Sequence, residues 1–222
     1  SESATMCAKI TASAVNQDGR SSALTAPHGP SQVVLLRDIA KQDFASSLLE
    51  VDLAGKMRFV AMHGTGTSLG DPIEVGALSK YATSISESIL LNAPKTHYGH
   101  TEGAAGIAGI FSALGYIESS EVAPIKHLRT LNMFAVTAIL NSVHFSETSL
   151  NVHASRSHST ATMTSNRIRT AGTSSFGMSG VNAHASVACI PSSITKTDAT
   201  GRTSKFMWIR FAKRFSYCPR PN

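Results

Sequence analysis

The order of periodicities along the chain predicts an α/β fold of layered sheet and helices. A succession of buried strand, polar loop carrying a histidine, and helix occurs twice, over 57–78 and again over 88–118. Alternating apolar segments at 8–15 and 182–190 read as strands that bracket those two units. A length of 222 residues suits one domain with a real core, here residues 1–190, followed by an appended basic tail at 191–222.

AKITASAV, 8–15, alternates loosely as a strand does, and NQDG, 16–19, has turn composition. From Gly29-Pro30-Ser31 a helix is expected, with Ser31 as N-cap and Val33, Leu36, Ile39, Ala40 and Phe44 on one face. MRFVAM, 57–62, reads as a buried strand that runs into HGTGTSLG. Asp71-Pro72-Ile73-Glu74 then starts a helix, with an N-cap, proline at the first position and an acid at the third. SILLN, 88–92, is a further strand, and APKTHYGHTEG is the loop before a small-residue helix, AAGIAGIFSALGYIE. Its alanines and glycines permit close approach to a neighbour. The Ser/Thr-rich stretch 146–170 reads as irregular, TSSFGMSG, 173–180, as a glycine-bearing loop, and NAHASVACI as the last strand.

Charge narrows the function classes. Seven of the 20 basic residues and one of the 14 acidic ones lie in 191–222, which leaves thirteen of each in the body. A neutral body lacks the basic patch of a nucleic-acid-binding domain. The tail, which includes KFMWIRFAKRF, reads as a poorly ordered end, with a membrane-surface or docking helix as the alternative. Cys7, Cys189 and Cys218 are odd in number and form no CxxC pair, so reduced thiols and a reducing compartment such as the cytoplasm are expected. No apolar run approaches the roughly 18 residues of a membrane-spanning helix.

HGTGTSLG lacks the Gly-Lys-Ser/Thr ending of a phosphate loop and the GxGxxG spacing of a dinucleotide site. His63, His97 and His100 have no further ligand at metal-site spacing, so no metal is expected. A loop histidine is commonly a structural hydrogen-bonder. Two of them on corresponding strand-to-helix loops point instead to chemistry, because functional residues of α/β sheets gather at strand ends. Lys95 fits either a surface lysine or a donor to a carboxylate or oxyanion, and Phe176 either a core anchor or a gate. Glu102 reads as an acid favoured at a helix N-terminus.

Taken together, SAVNQDGRSSALTAPHGPSQ, HGTGTSLGDPIEVGAL, KTHYGHTEGAAGIAG and AGTSSFGMSGVNAH closely resemble, in this order, the C-terminal half of the β-ketoacyl synthase (ketosynthase) domains of modular type I polyketide synthases. The resemblance covers about residues 8–190 and is weak over 130–168. It implies a thiolase-like fold, of which this chain is the C-terminal half, and decarboxylative Claisen condensation as the activity. His63 and His100 resemble the two active-site histidines, and Lys95 the lysine that supports the second of them. Thr65 and Thr67 resemble the hydroxyls that hold a phosphopantetheine arm, and Phe176 the gating phenylalanine.

The resemblance also implies partners: acyl carrier protein, whose phosphopantetheine carries the substrate, an N-terminal ketosynthase half, and a homodimer when complete. No cofactor is expected on this chain itself. The family's nucleophilic cysteine sits in an Asp-Thr-Ala-Cys-Ser-Ser type of motif, and none of the three cysteines here has that context. Alone, the chain is therefore expected to be inactive and to expose an apolar face. Ala61, His97 and Val181 stand where the family usually has Glu, Asn and Thr. The alternative from another class is a non-catalytic thiolase-fold partner or scaffold subunit.

Overall fold

The computed structural model describes residues 8–19, 26–49, 57–119, 122–126, 128, 130–138, 143–145 and 170–189. The tail, Cys7, Cys218 and nearly all of the stretch read as irregular lie outside the described residues. Six strands form one sheet in the order β1-β6-β5-β2-β3-β4. These are β1 (Ala8–Gln17), β2 (Phe59–Ala61), β3 (Ile89–Asn92), β4 (Val143–Phe145), β5 (Thr170–Phe176) and β6 (Val181–Cys189). The β5-β2-β3-β4 run is parallel, and β6 pairs antiparallel with both β5 and β1.

Alternation along the strands divides the core in two. Val60, Met62, Ile89 and Leu91 join Leu36 and Ile39 of α1 (Gly29–Leu49) and Val75, Leu78 and Tyr81 of α2 (Gly70–Ile85) on one face. Phe59, Ala61, Ala171 and Val187 meet Ala113 and Ile117 of α4 (Ala105–Ser119) on the other. The period of two makes each short strand serve both layers. Phe59 and Tyr116 stack with ring centroids 4.7 Å apart.

The small residues of α4 set how closely it lies on the sheet. A Cβ on Gly109 would overlap Thr173 Oγ1, and one on Gly106 would touch Ser175. The opposite side of α4 carries Ile107 and Phe111, 57% and 68% exposed.

Several elements depart from expectation. TSSF does not lie in a loop: Thr170–Phe176 is β5, bonded on both edges by β2 and β6. Its Ser and Thr side chains suit a buried strand because Ser174 finds a partner, His184, on the facing strand. The turn shrinks to Gly177–Gly180, where the Gly177 N–H donates to Val181 O. β1 runs on through Asn16 and Gln17, so the turn begins at Asp18. A short helix, α3 (Lys95–Tyr98), and a 3-10 turn (Glu102–Ala104) occupy the expected loop before α4. α5 (Met133–Ala138) and the three-residue β4 have no readable pattern in the sequence.

The two expected helix caps also differ. The His28 ring accepts from the Ser31 N–H at 3.3 Å, so His28 caps α1 in place of Ser31. α2 begins at Gly70, and neither Asp71 nor Glu74 caps it. Both carboxylates turn to the preceding loop.

Candidate active site

The parallel strands β2, β3 and β5 end side by side, and their carboxyl ends carry the expected residues. His63 follows β2, Lys95 and His100 follow β3, and Phe176 closes β5. The His63 and His100 rings stand perpendicular with centroids 5.6 Å apart, and the Phe176 ring lies 5.4 Å from His63. Residues 113 positions apart thus form one cluster.

The glycine-rich loop is shaped by two acids near the start of α2, Asp71 on its first turn and Glu74 just beyond. Glu74, buried, accepts the His63 and Gly64 backbone N–H groups at 2.8 and 2.9 Å. Asp71 accepts the Gly66 N–H at 3.1 Å and draws the N–H groups of Thr65 and Thr67 as well. Three residues apart on a helix, the two carboxylates share a face and gather successive amides of one loop. Gly64 and Gly66 hold φ of 45° and 77°, the left-handed backbone that lets those amides converge. Spacing alone marks Asp71 and Glu74 as helix starters; the signal for their other role is a glycine loop whose amides need acceptors.

Burial pushes the Glu74 carboxyl up to about 7, opposed by its two backbone donors and by Lys95. Asp71 is likewise raised by burial. Lys95 Nζ donates to the His63 carbonyl oxygen, so the lysine braces the first histidine, where the resemblance pairs it with the second. Burial lowers the Lys95 pKa, and the charges of Glu74 and Asp71 partly restore it.

Each histidine has its Nδ1 occupied as an acceptor. The Phe176 N–H donates to His63 Nδ1 at 3.2 Å, and the Glu102 N–H donates to His100 Nδ1 at 2.9 Å. To reach it Glu102 adopts a φ of 48°, left-handed for a residue with a side chain. An imidazole that accepts at Nδ1 carries its neutral-form hydrogen on Nε2. Burial, with the charges of Lys95 and His100, lowers His63 to about 4, so it stays neutral at ordinary pH. The pair offers two fixed N–H donors.

A clasp holds the turn beyond Phe176. Asn182 Nδ2 donates to Asp18 Oδ1 at 2.6 Å and to Asn16 Oδ1 at 3.1 Å, while Asp18 accepts the His28 N–H through Oδ2. The Asp18 N–H meets Gly180 O at 2.8 Å, which ties β1 to the turn. Thr65 and Thr67 are exposed, and Thr67 Oγ1 accepts the Gly70 N–H at 3.1 Å. His97 is exposed on α3 and stays outside the ring cluster of His63, His100 and Phe176. Among the described residues no three His, Cys, Asp or Glu side chains gather as for a metal ion.

The model of the β-ketoacyl synthase C-terminal domain matches residues 7–129, more than half of the chain. This chain belongs to the β-ketoacyl synthase family. The ketosynthase half is 40% identical over 183 residues to a phenolphthiocerol/phthiocerol polyketide synthase protein of Mycobacterium tuberculosis, covering 80% of this chain and 7% of that protein. It is 37% identical over 186 residues to erythronolide synthase EryA3 of Saccharopolyspora erythraea, covering 80% and 5%. The chain thus spans under a tenth of these relatives.

Among solved structures, the ketosynthase from module 6 of the bacillaene synthase of Bacillus subtilis 168 superposes with a TM-score of 0.62 at 30% identity. The match covers 82% of this chain and 30% of that one. The fold is thiolase-like, and this ketosynthase chain supplies its C-terminal part. No helix among the described residues is long and apolar enough to cross a membrane.

Proposed function

We propose that this chain is the histidine-bearing half of a polyketide synthase ketosynthase, an acyltransferase that performs decarboxylative Claisen condensation. The observation that carries the reading is the pair of imidazoles with Nδ1 engaged by backbone N–H and Nε2 left to donate. In the proposed reaction a malonyl thioester, carried on the phosphopantetheine of acyl carrier protein, breaks its bond to the carboxylate and releases CO2. The electron pair enters the thioester as an enolate, whose oxygen takes hydrogen bonds from His63 Nε2 and His100 Nε2. The enolate carbon then attacks an acyl thioester on a cysteine of the N-terminal half, and the cysteine thiolate leaves.

Donors fixed beforehand toward a developing oxyanion contribute about 3–4 kcal/mol each in comparable sites. Lys95 keeps the His63 backbone in place and, with Glu74, sets the field around it. Thr65 and Thr67 offer hydroxyls to the phosphopantetheine arm beside glycines that permit its approach. Phe176 covers His63 and acts as the gate. The chain itself binds no cofactor in this reading, and the complete enzyme is a homodimer.

The alternative is a non-catalytic thiolase-fold scaffold. A scaffold has no chemical need for two tautomer-fixed histidines and a braced lysine. An immunoblot of native lysate with an antibody raised against residues 29–55 separates the readings, followed by a malonyl-dependent condensation assay on the captured protein. A band far above 23.4 kDa with condensing activity is expected. A band at the mass of the chain, with no activity on addition of malonyl-carrier protein, would establish the scaffold.

A further inference from the structure

Behind the histidine pair, between α1, α2 and the sheet, lies a small cavity whose wall includes Gln32, Glu74, Ser174, Phe176 and His184. It holds about 10 Å³ for the centre of a water molecule, the room that a single water requires. Leu35, Leu36, Ala77 and Leu78 complete a largely apolar wall, in which the polar groups are few and deeply buried. Gln32, Glu74 and His184 are 2%, 3% and 3% exposed. Two of their atoms, Gln32 Oε1 and His184 Nε2, have no hydrogen-bond partner among the described residues.

His184 is fixed on its other side. Ser174 Oγ and His184 Nδ1 share a hydrogen bond at 3.0 Å, and Gly172 is a glycine because a Cβ there would meet His184 Nε2 at 2.5 Å. Whichever way the Ser174 hydrogen points, Nε2 is left as either a donor or an acceptor in need. Buried polar atoms in folded proteins are nearly always paired, by protein or by ordered water.

We propose that this cavity is a binding site for one structural water, held by Gln32 Oε1 together with Glu74 and the Ser174-His184 pair. The water donates to Gln32 Oε1 and to a Glu74 carboxylate oxygen, and accepts from His184 Nε2–H, the tautomer in which Ser174 Oγ donates to His184 Nδ1. Glu74 is the residue whose two oxygens fix the His63-Gly64 amides. The site therefore braces the floor of the histidine loop from behind. This inference stands apart from the condensation reading, since it concerns hydration beneath the loop whatever reaction occurs above it.

The test is a crystal structure of the protein that contains this chain, at a resolution that shows ordered solvent. One water within about 3 Å of Gln32 Oε1 and of a Glu74 oxygen is expected. A dry cavity, or Gln32 Oε1 bonded to a protein donor, would overturn the proposal. A second reading comes from the Glu74 carboxyl titration, followed by 13C NMR, in Gln32→Met. The groups that face Glu74 are Asp71 on α2, Lys95 on α3, His63 after β2 and His184 on β6. None of these changes in the variant, so loss of the donated water hydrogen should move the Glu74 midpoint upward by about one pH unit. An unmoved midpoint in a folded variant would remove Glu74 from the proposed set of partners, and the proposal with it.

Discussion

Two ring nitrogens, Nδ1 of His63 and Nδ1 of His100, decide what the paired histidines present to a ligand, because each is engaged by a backbone N–H. For His63 the consequence reaches beyond tautomer. Its folded pKa of about 4 lies below the ordinary 6.5, so between those values the unfolded chain binds more protons than the folded one. The stability this group contributes is full above pH 6.5 and declines as pH falls toward 4. In 15N-labelled protein the His63 ring should keep its neutral, Nε2-protonated signature from about pH 8 down to about pH 5; protonation with a midpoint near 6.5 would contradict the described packing. At the same scale, Glu74→Gln turns an amide N–H₂ toward one of the two loop amides, and should cost about 1–3 kcal/mol in denaturant unfolding.

Elements carry the next level of constraint. Gly109→Ala places a methyl against Thr173 Oγ1, where α4 lies on β5. Overpacking at such a contact costs about 1–3 kcal/mol, read as a lowered melting temperature. Asn182→Ala removes both bonds of the clasp to Asn16 and Asp18, and should loosen the Gly177–Gly180 turn, raising amide exchange at Gly177 and Gly180 while leaving α4 protected. Most of these elements are readable in the sequence, since β2, α2, β3 and α4 have clear apolar periods and turn residues between them. β5 is not, because a strand buried on both faces and matched to a polar partner strand looks, letter by letter, like a Ser/Thr loop. The second role of Glu74 is hidden for a related reason: an acid at the third position of a helix satisfies a local rule, and only the fold shows that its oxygens face the previous loop. The paired histidines, Lys95 and Phe176 are legible as motif positions, while their distances depend on three strands meeting.

At the scale of the molecule, the described sheet has helices on both faces, yet α4 turns Ile107 and Phe111 outward. The chain covers about a third of the ketosynthase chains it superposes on. An apolar helix face beside the histidine loops is where a further layer of a ketosynthase would bury it. Replacing both residues, Ile107→Ser with Phe111→Ser, should improve the solubility of the isolated chain and, in the proposed reading, abolish its packing against the N-terminal half. Equal solubility of variant and wild type, measured by sedimentation, would show that this face needs no cover.

In the proposed reaction His63 and His100 together hold one developing oxygen. This pairing is tested most directly by CO2 release from a malonyl thioester, measured in the native synthase that contains this chain, with His63→Ala and His100→Ala compared with wild type. Each substitution should lower the rate by about 10²–10³-fold, and the double variant should lose little more than the worse single one. Rates within about threefold of wild type for either single variant would contradict the pairing.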